Sequence, residues 1–110
     1  MGLSARTCTP CKGGIDPLAE AEATPLLREI PDWDLTHESK RLERTFRFRN
    51  FAEALGFVDK VGRLAESEAH HPEIRFGWGY VTIELWTHKI GGLHENDFIL
   101  ASKIDDLARV

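Results

Sequence analysis

Two stretches of this chain alternate apolar and polar side chains with a period of two, and a stretch of helical period lies between them. From Leu42 to Arg49, Leu42, Phe46 and Phe48 fall on one face while Glu43, Thr45 and Arg47 fall on the other. That is the pattern of a strand buried on one side only, as antiparallel sheets allow. From Tyr80 to His88 the alternation returns: Val81, Ile83 and Leu85 share one face, and Tyr80, Thr82, Glu84, Trp86 and His88 the other. Between the two, Phe51, Ala54, Leu55, Val58, Val61 and Ala65 recur at the spacing of one helix face. Asn50 is a capping residue with Glu53 as its capping-box partner, and Pro72 predicts that this helix ends near Ala69 or His70.

The flanking segments extend this frame. Trp33–Thr36 is β-like and joins the first alternating run through His37-Glu38-Ser39-Lys40, a hairpin connection. Ile74–Phe76 is a short strand followed by the turn Gly77-Trp78-Gly79, and Gly91-Gly92 ends the second alternating run. A last helix is expected over His94–Leu107, burying Leu100, Ala101, Ile104, Leu107 and Ala108. Upstream, Pro17–Ile30 is rich in helix formers, with Thr24-Pro25 as a cap and a first-turn proline. The order helix, strand, strand, helix, strand, strand, helix predicts an α+β fold: a four-stranded antiparallel sheet with about three helices on one face.

A chain of 110 residues buries about two-thirds of its surface, enough for one core and not for two. Residues 17–110 are therefore read as a single domain, and residues 1–16, which lack periodicity, as a flexible arm. With 14 Lys+Arg against 18 Asp+Glu the net charge is −4, which argues against a nucleic-acid module. No run reaches the ~20 apolar residues of a membrane span, and Met1–Lys12 lacks the apolar stretch of a secretory signal, so a cytoplasmic protein is expected. Cys8 and Cys11 are too few for a disulfide framework, have no second ligand pair at zinc-finger spacing, and lack the strand and helix of a redox C-x-x-C. Two reduced thiols on the arm is the plain expectation, with intermolecular metal or disulfide pairing as the alternative.

His70, His71 and His88 stand at predicted element ends, where a rigid scaffold can present them to a cleft. Glu66 lies four residues before His70 and meets it if the last turn stays helical. Adjacent residues leave a helix in different directions, so His70 and His71 can contact two points of one ligand. Imidazole titrates near neutral pH and can both give and take a proton. Each histidine also has an ordinary structural reading, since the helix dipole favours histidine at helix C-termini and strand-end histidines are common. A zinc site from the three histidines lacks any H-E-x-x-H spacing. Asp97, in the first turn of the last helix, is explained by capping, or it orients an imidazole such as His88. Trp78, Tyr80 and Trp86 are either a stacking wall or ordinary packing.

Taken together, E-S-E-A-H-H-P-E at 66–73, T-H-K-I-G-G-L at 87–93 and N-D-F-x-L-A-x-x-I-D at 96–105 resemble the pterin-4a-carbinolamine dehydratase family. Trp33-x-Leu35 and the F-x-F strand end with its N-F cap at Phe46–Phe51 belong to the same resemblance, which covers about residues 20–108. The resemblance implies a lyase (hydro-lyase) that converts 4a-hydroxytetrahydrobiopterin to quinonoid dihydropterin and water, in tetrahydropterin recycling, with no metal or organic cofactor. It implies His70 and His88 in proton transfer, His71 holding the pterin, and Glu66 and Asp97 as acidic neighbours. It implies a homodimer or homotetramer that serves an aromatic amino-acid hydroxylase and contacts neither membrane nor nucleic acid directly. Animal members also act as dimerisation cofactors of a transcription factor, which makes a non-catalytic binding module the alternative. Ile74, where relatives often carry an aromatic, and His94, where they usually cap with Ser or Thr, depart from the pattern.

Overall fold

The computed structural model describes residues 2–9 and 13–109. Its strands are β1 (Asp34–Thr36), β2 (Arg41–Arg47), β3 (Glu73–Gly77) and β4 (Tyr80–Leu85), and its helices α1 (Glu20–Leu27), α2 (Phe51–Glu68) and α3 (Glu95–Ala108). Two 3₁₀ turns, Leu3–Ala5 and His88–Ile90, complete the list. The strands form one antiparallel sheet in the order β1-β2-β4-β3.

Register explains why the alternation was so regular. Leu42 pairs with Leu85 and Phe46 with Val81 across β2 and β4, while Ile74 pairs with Ile83 and Phe76 with Val81 across β3 and β4. One face of the sheet is therefore apolar along three strands, and α2 and α3 close it with Phe57, Val61, Phe98, Leu100 and Ile104. The opposite face pairs Thr45 with Thr82 by a 2.9 Å hydroxyl bond and Glu43 with Glu84. The like charges of that second pair are bridged by Arg75, 3.0 Å from Glu84 and 3.9 Å from Glu43. The β3–β4 hairpin turns on Trp78-Gly79, where Gly79 takes φ +78° and a Cβ would sit 3.0 Å from the Phe48 carbonyl. That conformation and that space suit glycine alone.

Several boundaries differ from the expectation. α1 is capped at Ala19, where the Glu22 carboxylate accepts the Ala19 N–H at 2.8 Å, so Pro25 lies inside the helix and Thr24 bonds back to the Glu20 carbonyl instead of capping. At the start of α2 the Asn50 side chain accepts from Glu53 N, but the Glu53 carboxylate reaches Arg49 N and not Asn50 N. β4 stops at Leu85, because Thr87 turns to bridge Gly92 by a 2.8 Å bond and His88 opens a 3₁₀ turn. Residues 2–9, expected to be a mobile arm, are packed instead: Leu3 is 1% exposed within the core and its N–H donates to Glu29. One apolar anchor followed by polar bonds has no periodicity to detect. Cys11 lies outside the described residues.

Arg44 stands on the helix-facing side of β2 among apolar neighbours, where a charge demands a partner. It finds Asp105 of α3 at 2.6 Å, and Asp105 also accepts the Trp33 indole N–H at 2.8 Å. Burial pushes the Asp105 carboxyl above its ordinary pKa, against the pull of Trp33 and Arg44. Removing the carboxylate strands the buried Trp33 N–H and leaves Arg44 only the looser contact with Asp32 at 3.6 Å, so Asp105→Ala should cost about 2–4 kcal/mol. Arg49→Ala, which cuts only an exposed pair with Glu53, should stay within about 0.5 kcal/mol. Urea unfolding of the two variants beside wild type measures both.

Candidate active site

The α2 helix ends in a left-handed residue, Ala69 at φ 53°, after which the His70 N–H returns to the Ala65 carbonyl at 3.2 Å. This six-to-one closure turns the chain sharply, at the cost of placing a Cβ in a region glycine prefers. The turn separates the two histidines. His70 points to α3 and meets Asp97 Oδ1 at 2.6 Å, whereas His71 folds back onto Glu66. Helical spacing predicted Glu66 against His70. The left-handed turn transfers that contact to His71.

Asp97 is fully buried at the first turn of α3. Its Oδ2 accepts the Thr87 hydroxyl at 2.9 Å and the His94 N–H at 3.0 Å, leaving Oδ1 for His70. A carboxylate only accepts, so the hydrogen bond between them is donated by His70 Nε2–H, and the ring's other nitrogen is turned away from Asp97. Asp97 thus both caps and orients. The imidazole it orients is His70, not His88 as the sequence suggested.

His88, at the start of its 3₁₀ turn, lies against Trp86 with ring centroids 4.3 Å apart. The Arg41 guanidinium also lies over Trp86, 3.9 Å from the ring centroid, and is 3.5 Å from Glu84. Trp86 is therefore part of the site, and Trp78, 74% exposed at the hairpin tip, is not.

His70, His71, His88, Trp86 and Thr87 line one open cleft of about 460 Å³, which Lys89, Cys8, Thr9, Glu68, Ala69 and Asn96 complete. Among the described residues no group of three or more His, Cys, Asp or Glu is arranged to hold a metal ion. Cys8 is half-buried, with its N–H on Glu68 at 2.8 Å and its thiol 3.6 Å from the Asn96 carbonyl. Burial, then the adjacent Glu68 carboxylate, pushes the thiol pKa up to about 12. Glu68 is held below the usual carboxylate range, first by the Cys8 N–H and also by Lys103 at 3.4 Å.

The family model for pterin 4 alpha carbinolamine dehydratase matches residues 16–107. The chain belongs to the pterin-4a-carbinolamine dehydratase family. It is 58% identical over 106 residues to a protein of Methylococcus capsulatus that carries pterin-4-alpha-carbinolamine dehydratase as a provisional name, covering 96% of this chain and 93% of the relative. A similarly named protein of Cupriavidus pinatubonensis is 59% identical over 106 residues, covering 96% and 91%. Among solved structures, a Brucella melitensis protein described as a transcriptional coactivator/pterin dehydratase superposes with a TM-score of 0.79 at 31% identity, covering 84% of this chain and 99% of that one. A pterin dehydratase-like protein described as a RuBisCO assembly factor in the alpha-carboxysome gives 0.61 at 29% identity, covering 70% and 89%.

Against the family pattern, the two departures have distinct outcomes. His94 replaces the usual hydroxyl cap, yet its Nδ1 accepts the Asn96 N–H at 3.0 Å and so performs the same task. Ile74 packs against the core from the helix-facing side of β3 and does not line the cleft. Thr87 and Asn96 were missed as site residues; the first was legible only as the neighbour of His88, the second only as the neighbour of Asp97. The lowered pKa of Glu68 means that its contribution to stability is fully present above the ordinary glutamate value of about 4.3 and is lost as pH falls through the lower folded value. Glu68→Gln should therefore be less stable than wild type at pH 7, with the gap closing as pH falls below the ordinary glutamate value. Urea midpoints measured across that range test the sign.

Proposed function

We propose that this protein dehydrates 4a-hydroxytetrahydropterins, 4a-hydroxytetrahydrobiopterin among them, to quinonoid dihydropterin and water, so that the pterin can be reduced and reused by an aromatic amino-acid hydroxylase. The observation that carries this reading is the convergence of three imidazoles on one cleft, with His70 held by a buried carboxylate. In the reaction the C4a–O bond breaks as the hydroxyl leaves as water, and the N5 proton is removed so that its electron pair forms the C4a–N5 double bond. One group must give a proton and another must take one, and no electrons are exchanged with a cofactor. His70, with its proton fixed on Nε2, offers a basic nitrogen for the N5 proton. His88, which has no carboxylate partner among the described residues, is free to carry a proton to the leaving hydroxyl. His71, braced by Glu66, binds the pterin, and Trp86 gives the ring a flat surface.

The protein works in the cytoplasm as a homodimer or homotetramer on this reading; the edge strands β1 and β3 leave backbone groups that a second copy can pair. A second reading, a partner-binding module without turnover, is favoured by the descriptions of the two structural neighbours as a coactivator and an assembly factor. Turnover separates them. With 4a-hydroxytetrahydropterin generated in situ, wild type should accelerate formation of quinonoid dihydropterin above the spontaneous rate. His70→Ala and His88→Ala should each lose about 10²–10⁴-fold in kcat. Asp97→Asn, similar in shape but unable to fix the same tautomer, should lose a comparable factor. A folded wild type that gives no acceleration overturns the dehydratase in favour of the binding module.

A further inference from the structure

Residues 2–9 are tied to the body of the protein at four points, two of them inside the cleft. Leu3 is sunk in the core, and Arg6 pairs with Glu95 at 2.9 Å. Cys8 N–H donates to Glu68 at 2.8 Å. Thr9 is held on both sides of its backbone by one buried side chain: its N–H donates to Asn96 Oδ1 at 2.9 Å, and Asn96 Nδ2 donates to its carbonyl at 2.6 Å. Asn96 is 2% exposed, so this amide has no water to fall back on and its fit to the Thr9 backbone is specific. Thr9 and Asn96 also line a second cavity of about 390 Å³, walled by Leu18, Leu93 and Ile99. Thr9 and Asn96 are thus common to the lining of both spaces.

We propose that Cys8 and Thr9 form a wall of the substrate cleft, and that Asn96 and Glu68 are positioning residues that hold this wall in place and thereby set affinity for the pterin. The proposal rests on the reading of the cleft as a pterin site. A wall ordered before binding spares the ligand the entropy of ordering it, and a released wall takes its contacts away from that side of the cleft. The half-buried thiol, poorly ionised at neutral pH, contributes surface and not nucleophilic chemistry.

The test uses the full chain in a Cys11→Ser background, so that iodoacetamide reports on Cys8 alone. Thr9→Pro removes one donor without touching a buried side chain, and Asn96→Ala removes both bonds; the first variant guards against misfolding of the second. Both should raise the alkylation rate of Cys8 by about tenfold or more and raise KM for the 4a-hydroxytetrahydropterin by about tenfold, with the loss in kcat/KM carried by KM. In the Cys11→Ser parent, 7,8-dihydrobiopterin should slow alkylation of Cys8. Variants that alkylate fast but keep the wild-type KM overturn the wall, as does bound dihydrobiopterin that leaves Cys8 unprotected. Protection of Cys8 in a protein without turnover supports the wall and overturns only the dehydratase. A protein that neither binds nor is protected by dihydrobiopterin overturns both.

Discussion

A carboxylate without solvent is expensive unless every lone pair is used, and Asp97 is such a group. Its three donors come from three different parts of the chain: a hydroxyl on the segment after β4, a backbone N–H at the start of α3 and an imidazole just past α2. None can move away without stranding a buried charge. The elements that reach the cleft are thereby fixed to one another by a single side chain, assisted by the positive end of the α3 dipole. Stability and the placement of His70 are the same interaction, so neither can be altered alone.

The second constraint acts at the end of α2. A helix that continued one more turn would lay His70 over Glu66, and a helix that ended freely would leave both histidines in solvent. The left-handed Ala69 does neither: it closes the last turn on itself and sends His70 inward to Asp97 while His71 falls back on Glu66. Pro72 then holds the chain extended into β3, and β3 is paired along β4 up to the segment that carries Thr87 and His88. The sheet is what sets the spacing between the two halves of the cleft.

Much of this was legible before any coordinates. Period-two alternation in β2 and β4 and helical spacing in α2 declared their buried faces because one side of each meets the core, and the order of elements left few topologies. The pairing of polar groups was not legible in the same way. Arg44 sits at an inward position of β2, where periodicity asks for an apolar residue, and its partner Asp105 is distant in sequence. Glu66 and His70 have the spacing of a helical pair, but one residue of left-handed backbone redirects both. His88 continues the alternation of β4 on paper, while the Thr87–Gly92 bridge has already taken the chain out of the sheet. Residues 2–9 are held by one leucine, one ion pair and a set of bonds between backbone and side chain, a form of attachment that leaves no pattern in composition. The histidine-rich segments stood out in the sequence as candidates; which carboxylate meets which imidazole was a matter of geometry.

That geometry supports the imidazoles of the cleft by different physics. His70 is held through a hydrogen bond to a buried anion, which fixes both its ring and the nitrogen that bears its proton. His88 is held through contact with Trp86, whose ring is in turn braced by Arg41 and, behind it, by the nearly buried Glu84 that also engages Arg75. A tilted ring-to-ring contact restrains the imidazole without giving it a hydrogen-bond partner. In the dehydration we propose, which takes a proton at one atom and gives one at a neighbouring atom, this asymmetry lets the two imidazoles play different parts. The charged network on the open face of the sheet therefore belongs to the cleft's construction: it holds the tryptophan that orients His88 without adding a carboxylate to that histidine's side of the cleft.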